Sequence, residues 1–435
     1  MEHLSKNIFR YSFFLLMVIL LSSCAASTSE ESNKNLNYSS NNDGITLPEG
    51  FRSVIVADSV GSARHITVAE NGDIYIALSS LHDGKGIAAL RDQNGNGKAD
   101  SLEYFGSLVG TGIQLHDGYL YFSTDTSVVR YKMNNDELIP EDDPETIVGG
   151  FPEQNPHGSK PFTFDDNGNI YVTVGAPSNA CQEKSRTPGV QGMDPCPQLE
   201  WHGGIWQFSA DEANQQFKKD GKRYATGIRN AVAIYWDAPA SQLYAVQHGR
   251  DQLKALWSDY YDAETSAKQP AEEMFAVDEG DDFGWPYVYY DWKKEKKMIA
   301  PEYGGDGEKT AEEGKYERPI VTFPGHWAPN DLMFYHGSAF PEKYRNGAFV
   351  AFHGSWNRSP KPQAGYNVAF VSFNNGEANE EYEIFADNFA GTSQISSASD
   401  ARYRPMGLAE GPDGSLYIVE SNQGKVWRIL PGSDK

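Results

Sequence analysis

Three cysteines, Cys24, Cys181 and Cys196, are all that 435 residues contain. No C-x-x-C pair occurs, which speaks against a thiolate metal site, and without C-x-x-C-H the chain carries no c-type haem. Basic side chains are also scarce, 37 against 60 acidic ones, for a net charge of −23. So acidic a chain lacks the basic surface that a nucleic-acid binder needs. The one long apolar run, residues 11–21, is too short for an ordinary transmembrane helix. Long amphipathic helical patterns are nearly missing, with residues 258–275 the best and still weak. What is present, 39% hydrophobic residues and 42 glycines, is the composition of a folded chain and excludes disorder over most of it. The length requires two or three domains, or one large closed architecture.

The N-terminus reads as an export signal. Lys6 and Arg10 precede the apolar run, which ends in Leu21-Ser22-Ser23-Cys24. That ending resembles a bacterial lipoprotein lipobox and implies cleavage before Cys24 and lipidation of its thiol. The alternative is a plain secretory signal with an incidental cysteine. Residues 1–23 are then a signal peptide, and residues 24–44, rich in Ser, Asn and acids, a flexible tether. The expected location is the bacterial cell envelope, and Ala25, in place of Asp, leans towards the outer membrane and periplasm. Export places Cys181 and Cys196 in an oxidising compartment, where a disulfide is expected.

One short pattern recurs: a turn, then an aliphatic, then an aromatic residue. It appears as Asn71-Gly72-Asp73-Ile74-Tyr75, Asp117-Gly118-Tyr119-Leu120-Tyr121 and Asn167-Gly168-Asn169-Ile170-Tyr171. It returns as Ser241-Gln242-Leu243-Tyr244, Asn346-Gly347-Ala348-Phe349 and Asp413-Gly414-Ser415-Leu416-Tyr417. Asn-Gly and Asp-Gly before a β-rich run mark tight hairpins, because these residues accept positive φ. The aromatic positions are separated by 46, 50, 73, 105 and 68 residues. A β unit of about 40–50 residues repeated several times is the signature of propeller blades. Six copies predict an all-β, six-bladed β-propeller with insertions in the longer intervals. A β-sandwich with regular hairpins leaves the six similar units unexplained. The strand near 51–56 is expected to complete the blade containing 416–430 and close the ring.

Residues 92–103 carry the spacing of a calcium loop. Asp92, Asn94 and Asn96 fall at positions one, three and five, and Gly97 at six. The Lys98 carbonyl, Asp100 and Glu103 take positions seven, nine and twelve. The flanks read as strand and turn, and the expected site is structural.

Four loops beside blade repeats concentrate charge: 156–160, 225–230 with 244–251, 352–358, and 402–405. Guanidinium groups suit carboxylates bidentately, so arginines gathered on an acidic protein point to a polyanionic small ligand in the channel. Five motifs then resemble one family: Gly227-Ile228-Arg229-Asn230, Gln247-His248-Gly249-Arg250-Asp251, Gly284-Trp285-Pro286, His353-Gly354-Ser355-Trp356-Asn357-Arg358 and Arg402-Tyr403-Arg404. In this order they resemble the glucose/sorbosone dehydrogenases, closest to the sorbosone-dehydrogenase-like branch, over about residues 45–431. The resemblance implies a six-bladed propeller using pyrroloquinoline quinone (PQQ) and Ca²⁺.

It also implies roles. His157 matches the general base that takes the sugar C1 hydroxyl proton as hydride leaves for the quinone. Arg229 and Asn230 match the pair beside the reactive carbonyl. The carbonyls of Gly249 and Arg250 match ligands of a second Ca²⁺ that bridges protein and cofactor. Arg402 and Arg404 match arginines on PQQ carboxylates, with Arg64 and His353 as further contacts. Some relatives place a lysine against PQQ after the fifth blade strand; none stands near 366–373, where His353 or Arg358 would serve instead. The implied activity is oxidation of an aldose or sugar aldehyde to a lactone or acid, with electrons passed to a separate cytochrome or quinone acceptor. The rivals are a calcium-dependent propeller lactonase or hydrolase, and a non-catalytic propeller that binds glycans or proteins.

Overall fold

The computed structural model describes residues 35–134, 137–374 and 376–432. The signal segment and Cys24 lie outside the described residues. Six antiparallel blades form a β-propeller, each of four strands, with blade 2 extended by the short parallel strand Gln215–Gln216. Their first strands are Ala63–Val68, Ile113–His116, Phe162–Phe164, Ala231–Asp237, Pro329–Tyr335 and Pro405–Glu410. Each contacts the first strand of the next blade, round a closed ring. The last blade is completed from the other end of the chain: Phe51–Ala57 pairs antiparallel with Val426–Pro431. That is the closure expected from the sequence, and it leaves the ring without an open seam.

The repeated pattern has a physical cause. All six turn motifs join the first and second strands of a blade, where Asp117 (φ 47°) and Asn346 (φ 56°) take left-handed backbone. The aromatic residue that follows lies on the second strand. Each of the six enters a different apolar cluster, between its own blade and the next. Tyr75 packs with Phe122, Tyr121 with Phe164, and Tyr171 with Phe275. Tyr244 packs with Phe334, Phe349 with Trp427, and Tyr417 with Ile74. The core is therefore six inter-blade layers, and the aromatic is the wedge of each.

Insertions fill the longer intervals. Residues 175–203 loop out between the second and third strands of blade 3, closed by the Cys181–Cys196 disulfide. Blade 4 carries two short helices, Leu253–Leu256 and Ala263–Lys268, and the hairpin Val288–Asp291 with Lys296–Ile299. The helical pattern at 258–275 thus contains one short helix and then runs into the strand Glu272–Val277. Residues 35–44, assigned to a free tether, instead pack on blade 6. Asn42 Oδ1 accepts from the Ser53 backbone, and Asp43 pairs with Lys425 Nζ at 2.6 Å. Among the described residues no helix is long and apolar enough to cross a membrane.

Candidate active site

Antiparallel blades alternate ends. The six turn motifs occupy one end of the ring, so connections between blades, and between second and third strands, lie at the other. That second end receives every loop singled out for charge. His157 lies between blades 2 and 3, Arg229-Asn230 between blades 3 and 4, and Arg402–Arg404 between blades 5 and 6. His248–Asp251 and His353–Arg358 join second and third strands of blades 4 and 5.

Arg229 is buried and fully engaged. Its Nη2 donates to Asp251 Oδ2 (2.9 Å) and Asn179 Oδ1 (3.1 Å), and its Nη1 to the Gly249 carbonyl (2.9 Å). Arg186, from the disulfide loop, shares Asp251 Oδ2 at 2.7 Å, and Asn357 Nδ2 donates to Oδ1 at 2.7 Å. Burial alone would raise the Asp251 carboxyl, but Arg229, His326 and Arg186 hold it below the usual carboxylate range. Asp251 and Arg186 were given no role from sequence. Asp251 stood inside a quoted motif, but nothing local marks residue 186 as its partner.

His157 sits beside this network. An ideal Cβ on Gly175 would lie 2.7 Å from Asn230 Oδ1 and 2.8 Å from His157 Cβ, so glycine lets the two side chains meet. His157 Nδ1 lies 2.6 Å from the Ala176 carbonyl. A carbonyl only accepts, so Nδ1 carries the proton and Nε2 is left as the basic nitrogen. Burial, then Arg229, pushes the imidazole down to about 3. The ring is neutral at physiological pH.

A second group of cations lies across the channel. Arg64 donates to Thr111 Oγ1 (3.3 Å) and Ser159 Oγ (3.4 Å), and burial lowers it to about 10. Arg404 donates to the carbonyls of His353 (2.9 Å) and Gly354 (2.8 Å). His353 Nε2 meets Ser421 Oγ at 2.7 Å, and burial with Arg404 and Arg64 keeps its ring neutral. Among the described residues neither arginine has a carboxylate within ion-pair distance. Desolvated cations without a protein anion fit a tricarboxylate such as PQQ.

Other predicted residues stand apart. Arg402 is exposed, its guanidinium 4.7 Å from the Tyr403 ring, and is not drawn into the cluster. Arg358 bonds the Gly325 and Pro362 carbonyls. The Arg250 side chain forks onto buried Glu302. The Gly249 carbonyl faces Arg229, while the Gly249 N–H donates to Glu272 Oε2 at 2.7 Å. Glu272, a buried carboxyl that burial raises to about 7, was missed because it lies in an ordinary strand.

The loop at 92–103 lies at the opposite end of the ring. It brings Asp92, Asn94, Asn96 and Asp100 into one turn, where their side-chain oxygens accept backbone N–H groups. Asp92 takes those of Gly95 and Gly97, Asp100 that of Gln93, and Asn96 that of Lys98. Glu103 stands on the strand Ser101–Phe105, opposite Ala89. Among the described residues no three His, Cys, Asp or Glu side chains are grouped as metal ligands.

A model of the TrAA12-like family matches residues 45–431, the span already delimited by the motifs. The chain belongs to the TrAA12-like family. A PQQ-dependent pyranose dehydrogenase of Coprinopsis cinerea is 25% identical to this TrAA12-like chain over 236 residues. That stretch is 48% of this chain and 31% of the relative, so under a third of the relative is spanned. The holo PQQ domain of the Coprinopsis cinerea pyranose dehydrogenase superposes with a TM-score of 0.70 at 19% identity, over 91% of this chain and 97% of that one. A Trichoderma reesei structure of carbohydrate-active family AA12 gives 0.72 at 16%, over 92% and 100%. These superpositions establish a shared propeller fold. The matched family agrees with the PQQ-dehydrogenase resemblance carried by the motifs.

Proposed function

We propose that this protein is a PQQ- and calcium-dependent dehydrogenase that oxidises an aldose or a sorbosone-like sugar aldehyde to a lactone or acid. The observation that carries the reading is the pairing of two features at one end of the channel. One is a neutral histidine whose proton is fixed on Nδ1. The other is a pair of desolvated arginines that, among the described residues, have no carboxylate within ion-pair distance. PQQ, when bound, supplies the two-electron acceptor. Arg64 and Arg404 would hold its carboxylates, and Arg229 with Asn230 would face its carbonyl side. His157 Nε2 takes the hydroxyl proton, and the Ala176 carbonyl supports the resulting imidazolium through Nδ1–H. Burial and Arg229 keep that nitrogen unprotonated before substrate arrives.

Electrons would pass to a separate cytochrome or quinone. Calcium would sit at the Gly249 and Arg250 carbonyls with Glu272 beside them, and a structural ion at 92–103. We place the protein in the bacterial envelope, anchored through Cys24; Cys24→Ser is expected to move it from the membrane to the soluble fraction.

Purified apo-protein titrated with PQQ in excess Ca²⁺ should bind it by absorbance or calorimetry. It should then reduce an artificial dye with some member of a panel of aldoses and sorbosone. No PQQ binding under these conditions overturns the proposal.

A further inference from the structure

We propose that Lys160 and Gln154 are positioning residues that hold the 155–159 loop so that His157 keeps its Nδ1–H on the Ala176 carbonyl. The inference rests on the reading of His157 as the general base. His157 has φ 61°, a left-handed backbone that non-glycine residues rarely adopt. Something must enforce that conformation, and two donors, half-buried Gln154 and buried Lys160, do so. Gln154 Nε2 donates to the carbonyls of His157 (2.9 Å) and Gly175 (2.9 Å), with the Pro156 carbonyl sharing one of the two hydrogens at 3.2 Å. It ties the loop to the strand end whose next carbonyl, Ala176, receives the imidazole. On the other flank, Lys160 Nζ donates to the Gly158 carbonyl.

Lys160 is 0% exposed, and among the described residues no carboxylate lies within ion-pair distance of it. Burying an ammonium without a counter-ion is costly, and burial lowers Lys160 to about 8. Asp125, whose charge partly offsets that burial, crowds Gly158: a Cβ there would be 2.8 Å from Asp125 Oδ2. An expensive lysine whose hydrogen bond goes to the loop backbone is explained by what that loop presents. The charged and titratable groups facing His157 are Arg229, His248 and Asp251, and among the described residues their hydrogen bonds go elsewhere than to the loop backbone.

The test uses Lys160→Met and Gln154→Leu, with Lys160→Arg as the conservative rescue. In apo-protein, ¹⁵N-histidine NMR at neutral pH, with His157→Ala for assignment, should show a fixed Nδ1–H tautomer for His157. Both disruptive variants should shift it towards the mixture of a free imidazole, and Lys160→Arg should restore it. In PQQ-loaded protein, kcat with D-glucose or the fastest aldose should fall roughly tenfold or more. KM and PQQ affinity should stay within about twofold, and the C1-deuterium isotope effect on kcat should rise. If Lys160→Met does not fold, Gln154→Leu decides by the same readouts. An unchanged tautomer and an unchanged kcat in a folded variant overturn the inference. Failure of the wild-type protein to bind PQQ would instead overturn the functional reading, and leaves the tautomer test standing.

Discussion

The two ends of the ring are made from the same six blades, yet one of them leaves buried cations without a carboxylate partner. At the turn end, charges find local partners. Arg91 forks onto buried Asp73, Arg428 pairs with Asp413 at 2.5 Å, and Asp165 accepts from Asn169 and Tyr171. At the channel end Arg229, Arg186 and Arg250 also have carboxylate partners, but Arg64 and Arg404 are desolvated and, among the described residues, bond hydroxyls and carbonyls with no carboxylate in ion-pair distance. His157 is kept neutral by burial and Arg229, and His353 by burial, Arg404 and Arg64. A charge with a partner needs only the fold to explain it, whereas a desolvated charge without one calls for a ligand. This contrast, more than the net charge of −23, locates the functional end.

The sharpest way to break the comparison is at His157. His157→Ala should lower turnover by about 10²–10⁴-fold, the usual worth of a general base, with PQQ affinity unchanged. Stopped-flow reduction and equilibrium titration separate the two. Normal turnover would remove His157 from the chemistry and leave the channel end as a binding surface.

The arginines come next. Arg404→Leu or Arg64→Leu removes charge-assisted hydrogen bonds worth about 1.5–3 kcal/mol, so PQQ dissociation constants should rise roughly 10- to 150-fold. Arg91→Leu, at the other end, should leave PQQ affinity untouched. It strands the Asp73 carboxylate instead and should cost about 1–3 kcal/mol of stability in denaturant titration. If all three variants behave alike, the distinction between the ends is false.

The turn end was legible because its signals are local. Asn-Gly and Asp-Gly dictate hairpins, and an aromatic two or three residues later must wedge between blades. Spacing therefore yielded blade number, order and closure. At the channel end, motifs placed His157, Arg229, Asn230, His353 and Arg404 together, because each adjoins a blade repeat. What spacing could not show was which side chains pair across blades. Asp251 binds Arg186 from an insertion 65 residues away, and Glu272 lies under Gly249 from an adjacent strand. Arg402 illustrates the limit: it matched the motif as well as Arg404, yet it lies exposed over the Tyr403 ring while Arg404 bonds the His353 and Gly354 carbonyls. The tether boundary was misplaced for a similar reason. A polar segment such as 35–44 shows no apolar periodicity, yet it docks through hydrogen bonds and the Asp43–Lys425 pair.

Acid should find the channel end first. His157 and His353 have folded-state pKa values depressed below 6.5, His157 to about 3. Unfolded chain takes up a proton at each of them below about 6.5, and folded chain does not. Stability is therefore fully present above that pH and falls as pH drops from about 6.5 towards 3, by up to about 1.4 kcal/mol per unit per group. Thermal melts of wild type and His353→Gln across that window should diverge, with the variant losing less. Parallel curves would mean that the histidine is not buried neutral.

The smallest effect uses one glycine from each end. Gly168, in the third turn motif, has φ 78°, and a Cβ there would meet nothing within 4 Å. Gly168→Ala should therefore cost only the left-handed strain, about 1–2 kcal/mol in denaturant titration, with activity unchanged. Gly175 has ordinary backbone, but its Cβ would lie 2.7 Å from Asn230 Oδ1 and 3.1 Å from the His157 carbonyl. Gly175→Ala must push those groups apart, so its main loss should appear in kcat. Backbone freedom is the reason for glycine at the turn end, and side-chain proximity is the reason at the channel end. A Gly175→Ala enzyme with normal kcat would show that the His157–Asn230 approach is packing alone.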